Sequence, residues 1–505
     1  MFAQVSATPI NVPIDWFALS PVLVLLGGAL VLLVASVLAV PLFRPRGVYA
    51  GLTIAIAGAA IVLSFINWNH VRDRGPKSMV AGAIGLDGFS VFMTIAICSA
   101  VILVALLADD YLRREQLDGV ELYALLLLAA IGGIVMASAN DLIVLFLGIE
   151  TLSIAFYVMA GSHTRRIESQ ESAIKYFVLG GFASAFFLYG VALMYGATGT
   201  TNMVKIADLL NRNVLLENQL LLAGLALMLV GLGFKVASAP FHSWAPDVYQ
   251  GAPTPVTAFM ASAGKGAAFA ALLRVFVVTF PTYADDWKPV LWVLAVLTLL
   301  VGSILAVVQT DVKRMMAYSS ISHAGFILVG VQAATAEGTS AALFYVMAYT
   351  FMIAGTFGVI TVVGRTGDRQ HTLAAYRGLA RERPVLAFVF TLLLLAQAGV
   401  PLTSGFMAKF QVIAAAVNSS SYSLAIIAMV SSVIAAFVYL RLIVTMYMSD
   451  DTDEAATRSR LRVPAGASLA LLVAVTFTLL FGIFPSHLID FANDAVPHLV
   501  ALPPR

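Results

Sequence analysis

From Ser20 to Phe43 the chain carries no charged side chain, and apolar runs of similar length recur almost to its end. A run of about 20 apolar residues matches the thickness of a bilayer when wound as a helix, whereas barrel strands would alternate over about ten residues. Fourteen such segments are predicted, at 20–43, 47–66, 86–108, 119–137, 140–160, 172–195, 217–240, 254–280, 288–308, 312–331, 338–363, 385–414, 422–447 and 466–486. The predicted fold is an all-α polytopic membrane protein. Composition points the same way: 60% of the 505 residues are hydrophobic and 11% are charged, too few polar side chains to cover a water-soluble surface.

The net charge of +2 says little about partners, and no nucleic acid is expected among them. One cysteine, Cys98, sits inside an apolar run. A lone thiol makes no internal disulfide and holds no iron–sulfur cluster, so it reads as a small hydrophobe facing lipid or protein. The first basic residue, Arg44, follows the first apolar run. That run is therefore expected to stay as a helix with its N-terminus outside.

Basic residues in the connections orient the bundle. Sixteen fall in one set of loops, among them Arg44, Arg46, Arg113, Arg114, Arg165, Arg166, Lys313, Arg314, Arg458 and Arg460. Seven fall in the other set and the C-terminal tail, among them Arg72, Lys77 and Arg505. The positive-inside rule puts the richer set in the cytoplasm and both termini on the outer side.

Six basic residues remain inside predicted spans: Lys175, Lys235, Lys265, Arg274, Lys409 and Arg441. Arg274 and Arg441 lie toward helix ends and are expected to snorkel to the interface. The four lysines are the exceptional feature, because a charge at mid-bilayer costs about 2.5–3.5 kcal/mol. One acid answers them: Glu150, alone in LIVLFLGIETLSIAFYVMAG. The short connection to the next span makes Glu150 and Lys175 a natural ion pair between antiparallel neighbours. A single pair of this kind also reads as a static bridge. One acid with four lysines reads as an ion or proton pathway. Lysine suits a proton relay because desolvation and neighbouring charge move its proton affinity, which arginine does not allow. His242 and His323 titrate near neutrality and serve either as relays or as packing residues. Glu121, at the start of the fourth span, is a secondary partner or an interface residue.

Two spans are broken. Pro240, Pro246, Pro253 and Pro255 follow Lys235 closely, and Gly399, Pro401, Thr403, Ser404 and Gly405 precede Lys409. Neither stretch allows a continuous helix. Interrupted spans at corresponding places in two halves point to a transport site. The breaks fall on the fourth span of each of two five-helix sets. This divides the chain into helices 1–3 (1–118), a first inverted repeat (119–280), a second (281–447), and helix 14 with its tail (448–505).

KVASAPFHSWAPDVYQGAPTPVTAF resembles the hallmark of the antiporter-like membrane subunits of respiratory complex I, and PDVYQGAPTPV is most similar to the N-type among them. Glu150 in FLGIETLSIAFYVMAG, Lys175 in ESAIKYFVLGGFASA and Lys265 in SAGKGAAFAALLR fit the same family. Lys409 in AGVPLTSGFMAKF also fits the N-type, since the M-type typically carries glutamate there. The likeness runs from about the third span to the thirteenth. It implies fourteen helices with two inverted repeats in a bacterial cytoplasmic membrane. It further implies Glu150–Lys175 as a controlling pair, Lys235 and Lys265 on a central hydrophilic axis, and Lys409 leading outward. The resemblance implies no cofactor in this chain: NADH, FMN, iron–sulfur clusters and quinone belong to other subunits. The implied partners are lipids, K-type and M-type neighbours, and the lateral helix of the L-type subunit. The leading expectation is a proton-translocating subunit driven by quinone reduction elsewhere. A subunit of a cation/proton antiporter without redox activity and a structural membrane scaffold remain as alternatives.

Overall fold

The computed structural model describes residues 14–38, 47–117, 119–212, 218–448 and 461–500. Arg44, Arg46, Arg458, Arg460 and Arg505, used above for orientation, lie outside the described residues. The chain runs through α1 (Ser20–Val37), α2 (Val48–Arg74), a hairpin of β1 (Lys77–Met79) and β2 (Ile84–Leu86), α3 (Gly88–Glu115), α4 (Val120–Ser138), α5 (Leu142–Ala160), α6 (Ile167–Thr198), α7 (Met203–Arg212), α8 (Gln219–Val236) and α9 (Trp244–Gly251). There follow α10 (Thr254–Phe259) and α11 (Lys265–Leu272), joined and extended by π-helical turns at Met260–Gly264 and Leu273–Thr279. Next come α12 (Ala284–Val307), α13 (Val312–Gln332), α14 (Ala336–Val363), one turn α15 (Leu379–Glu382), α16 (Pro384–Ala398), α17 (Ser404–Asn418), α18 (Tyr422–Met448), α19 (Ala465–Ile483) and α20 (Ser486–Asp494).

Twelve helices among the described residues are long and apolar enough to cross a membrane, with Thr254–Thr279 acting as one. Two further predicted segments are also helical. The first is α13, made less apolar by Lys313, Arg314 and the polar run YSSISH. The second is the broken pair α16 and α17. The hairpin, the short amphipathic α7 and α20, and the π-helical turns were not expected from periodicity. Helix starts follow local chemistry. Asp87 opens α3 through a capping box with Ser90, and Asp141, Asp311, Thr335 and Thr403 each accept a backbone N–H at the first turn of α5, α13, α14 and α17.

The centre of the bundle is α14, buried without a gap from Gly338 to Val363. Around it stand α3, the Thr254–Thr279 helix and α13, all largely buried. Helices α1, α2, α6, α18 and α19 form the periphery and turn residues such as Phe177, Phe182, Ile426, Val433 and Leu472 outward. An apolar exterior around a polar-bearing interior is what a bilayer solvent selects. Small residues set the closest approaches. A Cβ on Gly190 would sit 2.7 Å from the Gly224 carbonyl, and one on Gly224 would sit 2.9 Å from that of Gly190. This backbone contact draws α8, and with it Lys235, against α6.

Candidate functional site

Lys235 lies in the last turn of α8, where the predicted break occurs. The helix ends because Ala237 turns left-handed (φ 57°), with Ser238 N–H donating back to the Gly233 carbonyl. The freed groups find partners: Ala239 N–H donates to Thr298 Oγ1 at 2.9 Å, and Trp244 Nε1 to the Phe234 carbonyl at 2.9 Å. The Lys235 side chain is buried and donates to Ser153 Oγ at 2.6 Å. Its ammonium faces the rings of Tyr157, Tyr176 and Phe234 at 5.7–5.9 Å, contacts that hold a cation through the ring quadrupole. Glu150 stands three residues before Ser153 on α5, on the same helix face, and accepts from Ser184 of α6.

Lys175 is placed differently from expectation. It does not pair with Glu150. Its Nζ bridges Glu171 at 2.7 Å and Asp247 at 2.8 Å, and its side chain is 42% exposed. The reason is depth. The residue of α6 that meets Glu150 is Ser184, nine positions further along, or roughly 13 Å at 1.5 Å per residue. Lys175 instead lines a cleft of about 440 Å³ together with Arg166, Asp247, Asp368 and His371. Arg314 also donates to Asp247, at 2.6 Å. Burial raises the proton affinity of the Asp247 carboxyl, but the hydrogen bonds from Lys175 and Arg314 outweigh it and hold the group below its ordinary range.

Beside this cleft lies a hub foreseen by no motif. Asp368, fully buried, accepts from Thr254 Oγ1 at 2.7 Å, Arg166 Nη1 at 2.9 Å, His371 Nε2 at 2.9 Å and the Tyr111 hydroxyl at 3.2 Å, with Lys313 Nζ at 3.6 Å. Burial alone would raise its carboxyl; Lys313, His371 and Arg166 hold it well below the ordinary range. Lys313, assigned from sequence to a loop, is fully buried and donates to the Ala252 carbonyl at 2.6 Å.

Further into the bundle, Lys265 follows the first π-helical stretch and donates to the Ser320 carbonyl of α13. Three residues on, His323 is buried with Nδ1 2.7 Å from the Tyr345 hydroxyl and Nε2 3.2 Å from that of Tyr439. Tyr439 shares its hydroxyl with Ser319 at 2.6 Å. Lys409 lies just beyond the second break. It donates to the Ala398 carbonyl and to Ser432 Oγ, both at 2.9 Å, over the ring of Phe326. Gly399 makes room for it: the turn has φ 91°, and a Cβ there would lie 3.0 Å from Lys409 Cδ. The carbonyl end of α16 thus faces a cation, as helix polarity favours. Near the lysines, the Tyr157 hydroxyl beside Ser153 and the Tyr349 hydroxyl beside Ser320 Oγ are buried and lack a hydrogen bond of good geometry among the described residues. Such groups call for water.

Other expectations resolve as follows. His242 is half-buried in the α8–α9 break, beside the Pro240 carbonyl, and supplies none of the bonds that hold Lys235. Glu121 is exposed in the first turn of α4. Arg274 does not snorkel. It is fully buried and pairs with Asp87 at 2.8 Å while donating to the Ala137 and His498 carbonyls. A guanidinium with five donors finds enough acceptors there to stay inside. Arg441 is half-buried and donates to the carbonyls of Val307 and Gln309 at the end of α12. Sequence reasoning passed over Ser153, Ser184, Asp247, Asp368 and Tyr439. Only the run YSSISH, polar within an apolar span, marked the α13 part.

Residues 139–435 match the family model described as NADH:quinone oxidoreductase/Mrp antiporter, TM. A relative called NADH-quinone oxidoreductase subunit N from Trichlorobacter lovleyi is 44% identical, covering 90% of this chain and 91% of its own. One of the same name from Mycobacterium tuberculosis is 39% identical, covering 95% of this chain and 98% of its own. Among solved structures, a chain of respiratory complex I from Thermus thermophilus with bound aureothin superposes with a TM-score of 0.78 at 31% identity, covering 94% of this chain and 99% of that one. A chain of the Mrp complex from Dietzia sp. gives 0.83 at 21% identity over 96% and 97%, a likeness of fold alone.

Proposed function

This chain belongs to the NADH:quinone oxidoreductase/Mrp antiporter transmembrane family, and on that premise we propose that it serves as the N-type membrane subunit of a proton-pumping NADH-quinone oxidoreductase. NADH oxidation and quinone reduction take place in other subunits, which carry FMN and iron–sulfur clusters. Here protons cross the membrane through Glu150, Lys235, Lys265, His323 and Lys409. The Lys175–Asp247 cleft is their mouth on the cytoplasmic face. The membrane is the bacterial cytoplasmic membrane, with both termini outside and K-type and M-type neighbours along the arm. Helices in 119–280 and 281–447 act as two inverted units, each contributing one broken span.

One observation carries this reading: Lys235, Lys265 and Lys409 are buried, and among the described residues their ammonium groups hydrogen-bond to hydroxyl and carbonyl oxygens and to no carboxylate. A static ion-pair scaffold would give each ammonium a carboxylate. Lysines held by hydroxyl and carbonyl oxygens are not locked in one protonation state, and the buried hydroxyls near them suit bridging water. In this reading, water bridging the buried tyrosine, serine and histidine side chains completes the steps from one lysine to the next.

The test uses inverted membrane vesicles holding the whole complex. Lys235→Ala and Lys265→Ala are expected to leave assembly and quinone reduction in place while most NADH-driven acidification is lost. Normal acidification at normal complex content in both variants would refute the relay.

A further inference from the structure

The polar cluster behind His323 has a feature that the relay by itself does not require. Both ring nitrogens face hydroxyl groups, Tyr345 at 2.7 Å and Tyr439 at 3.2 Å. The chain continues beyond Tyr439: its hydroxyl meets Ser319 Oγ at 2.6 Å, and Ser319 donates to Gln397 Oε1 at 3.4 Å. Gln397 in turn donates through Nε2 to Thr356 Oγ1 at 2.7 Å, which fixes its carbonyl oxygen toward Ser319. All of these residues are buried.

A hydroxyl both donates and accepts, whereas an amide oxygen only accepts. With the proton on Nδ1, that nitrogen donates to Tyr345, and Nε2 accepts from Tyr439, which accepts from Ser319. With the proton on Nε2, the sense reverses. Nε2 donates to Tyr439, Tyr439 to Ser319, and Ser319 to Gln397 Oε1, while Tyr345 donates to Nδ1. The doubly protonated ring donates to both tyrosines, and Tyr439 again donates toward Gln397. Every state of the imidazole keeps its hydrogen bonds through rotation of O–H bonds, with no heavy atom displaced. In an apolar interior each lost partner would cost about 1–3 kcal/mol.

We infer that Tyr439 of α18 is the positioning residue that lets His323 take up a proton on one ring nitrogen and release one from the other, with Ser319 and Gln397 as its acceptor tail. The inference rests on the proton-relay reading above. The proton taken up comes from a neighbouring lysine ammonium, which becomes an amine. The Gln397 amide oxygen accepts a hydrogen bond but takes no proton, so the tail only orients Tyr439; the proton released passes by way of water to another lysine amine, and charge balances across the step. The titratable groups facing His323 are Tyr345 and Tyr349 of α14, Tyr439 of α18, Lys265 of α11 and Lys409 of α17.

The test compares Tyr439→Phe with Lys265→Ala and with Tyr189→Phe on the exposed face of α6, all in the complete complex in vesicles. Tyr439→Phe keeps the ring and removes the hydroxyl. It is expected to lower NADH-driven acidification about tenfold, a small effect for a proton-transfer partner because water can enter the space. Quinone reduction should persist, and the pH profile of pumping should be displaced, which loss of packing alone would not do. Wild-type pumping and an unmoved profile in Tyr439→Phe, with pumping lost in Lys265→Ala, overturns the Tyr439 assignment and leaves the relay standing. Normal pumping in both overturns the relay and the assignment with it. Where Tyr439→Phe fails to assemble, difluorotyrosine placed at 439 decides: its more acidic hydroxyl is expected to displace the profile, and a superimposable profile overturns the assignment.

Discussion

At the level of single residues, the site depends on the chemical kind of partner each charge receives. Lys235 has a serine hydroxyl and aromatic faces, and Glu150 has the Ser184 hydroxyl. Neither is closed into a tight ion pair, so each charge acts on the other across a turn of α5. Replacing Glu150 by glutamine keeps the shape and a hydrogen-bonding oxygen for Ser184 but deletes the charge. Loss of most pumping is expected, with assembly and quinone reduction retained, measured as acidification against NADH consumption. A fully active glutamine variant would mean that the charge at this position is dispensable. Lys175 behaves otherwise. With two carboxylates and two-fifths of its side chain in water, it is a rim residue whose ion pairs contribute little to stability.

At the level of elements, the breaks and the close contacts decide which residues meet. The end of α8 at Ala237 and the turn at Gly399 bring Lys235 and Lys409 beside freed backbone groups, while the contact of Gly190 with Gly224 fixes the separation of α6 and α8. A leucine at 224 would be driven into the α6 backbone. Overpacking of this kind costs about 1–3 kcal/mol, so Gly224→Leu should lower the thermal midpoint of the purified complex. Gly196→Leu, on the same α6 but with open space at its Cβ, should not. Equal midpoints for the two would show that the backbone contact does not set the helix spacing.

Across the whole molecule, Asp368 ties α3, the start of α6, the start of α10 and the start of α13 to the connection after α14. Removing its charge leaves Lys313 with no carboxylate within 4 Å among the described residues and Arg166 with only Glu168 at 3.7 Å, and breaking a buried pair costs about 3–5 kcal/mol. Asp368→Asn should therefore lower the thermal midpoint well beyond the effect of Asp247→Asn, whose carboxylate is about a third exposed. The folded carboxyl of Asp368 is held below its unfolded value near 4. Its stabilising contribution is complete above that value and is lost as pH falls toward the folded one. An acid-unfolding curve unchanged by Asp368→Asn would contradict this.

The sequence alone determined the membrane class, the position of the helices, the two breaks and the buried lysines, because each follows from local composition: apolar length, proline and glycine, and charge where charge is costly. It also carried the family, through the run around Lys235. Only the tertiary structure decided which partner each charge has. Glu150 meets Ser184 and not Lys175, Arg274 turns inward to Asp87, and Asp368 collects groups separated by up to 257 positions in the chain. Helix depth and rotation fix those pairings, and both depend on packing between helices, which no single segment encodes.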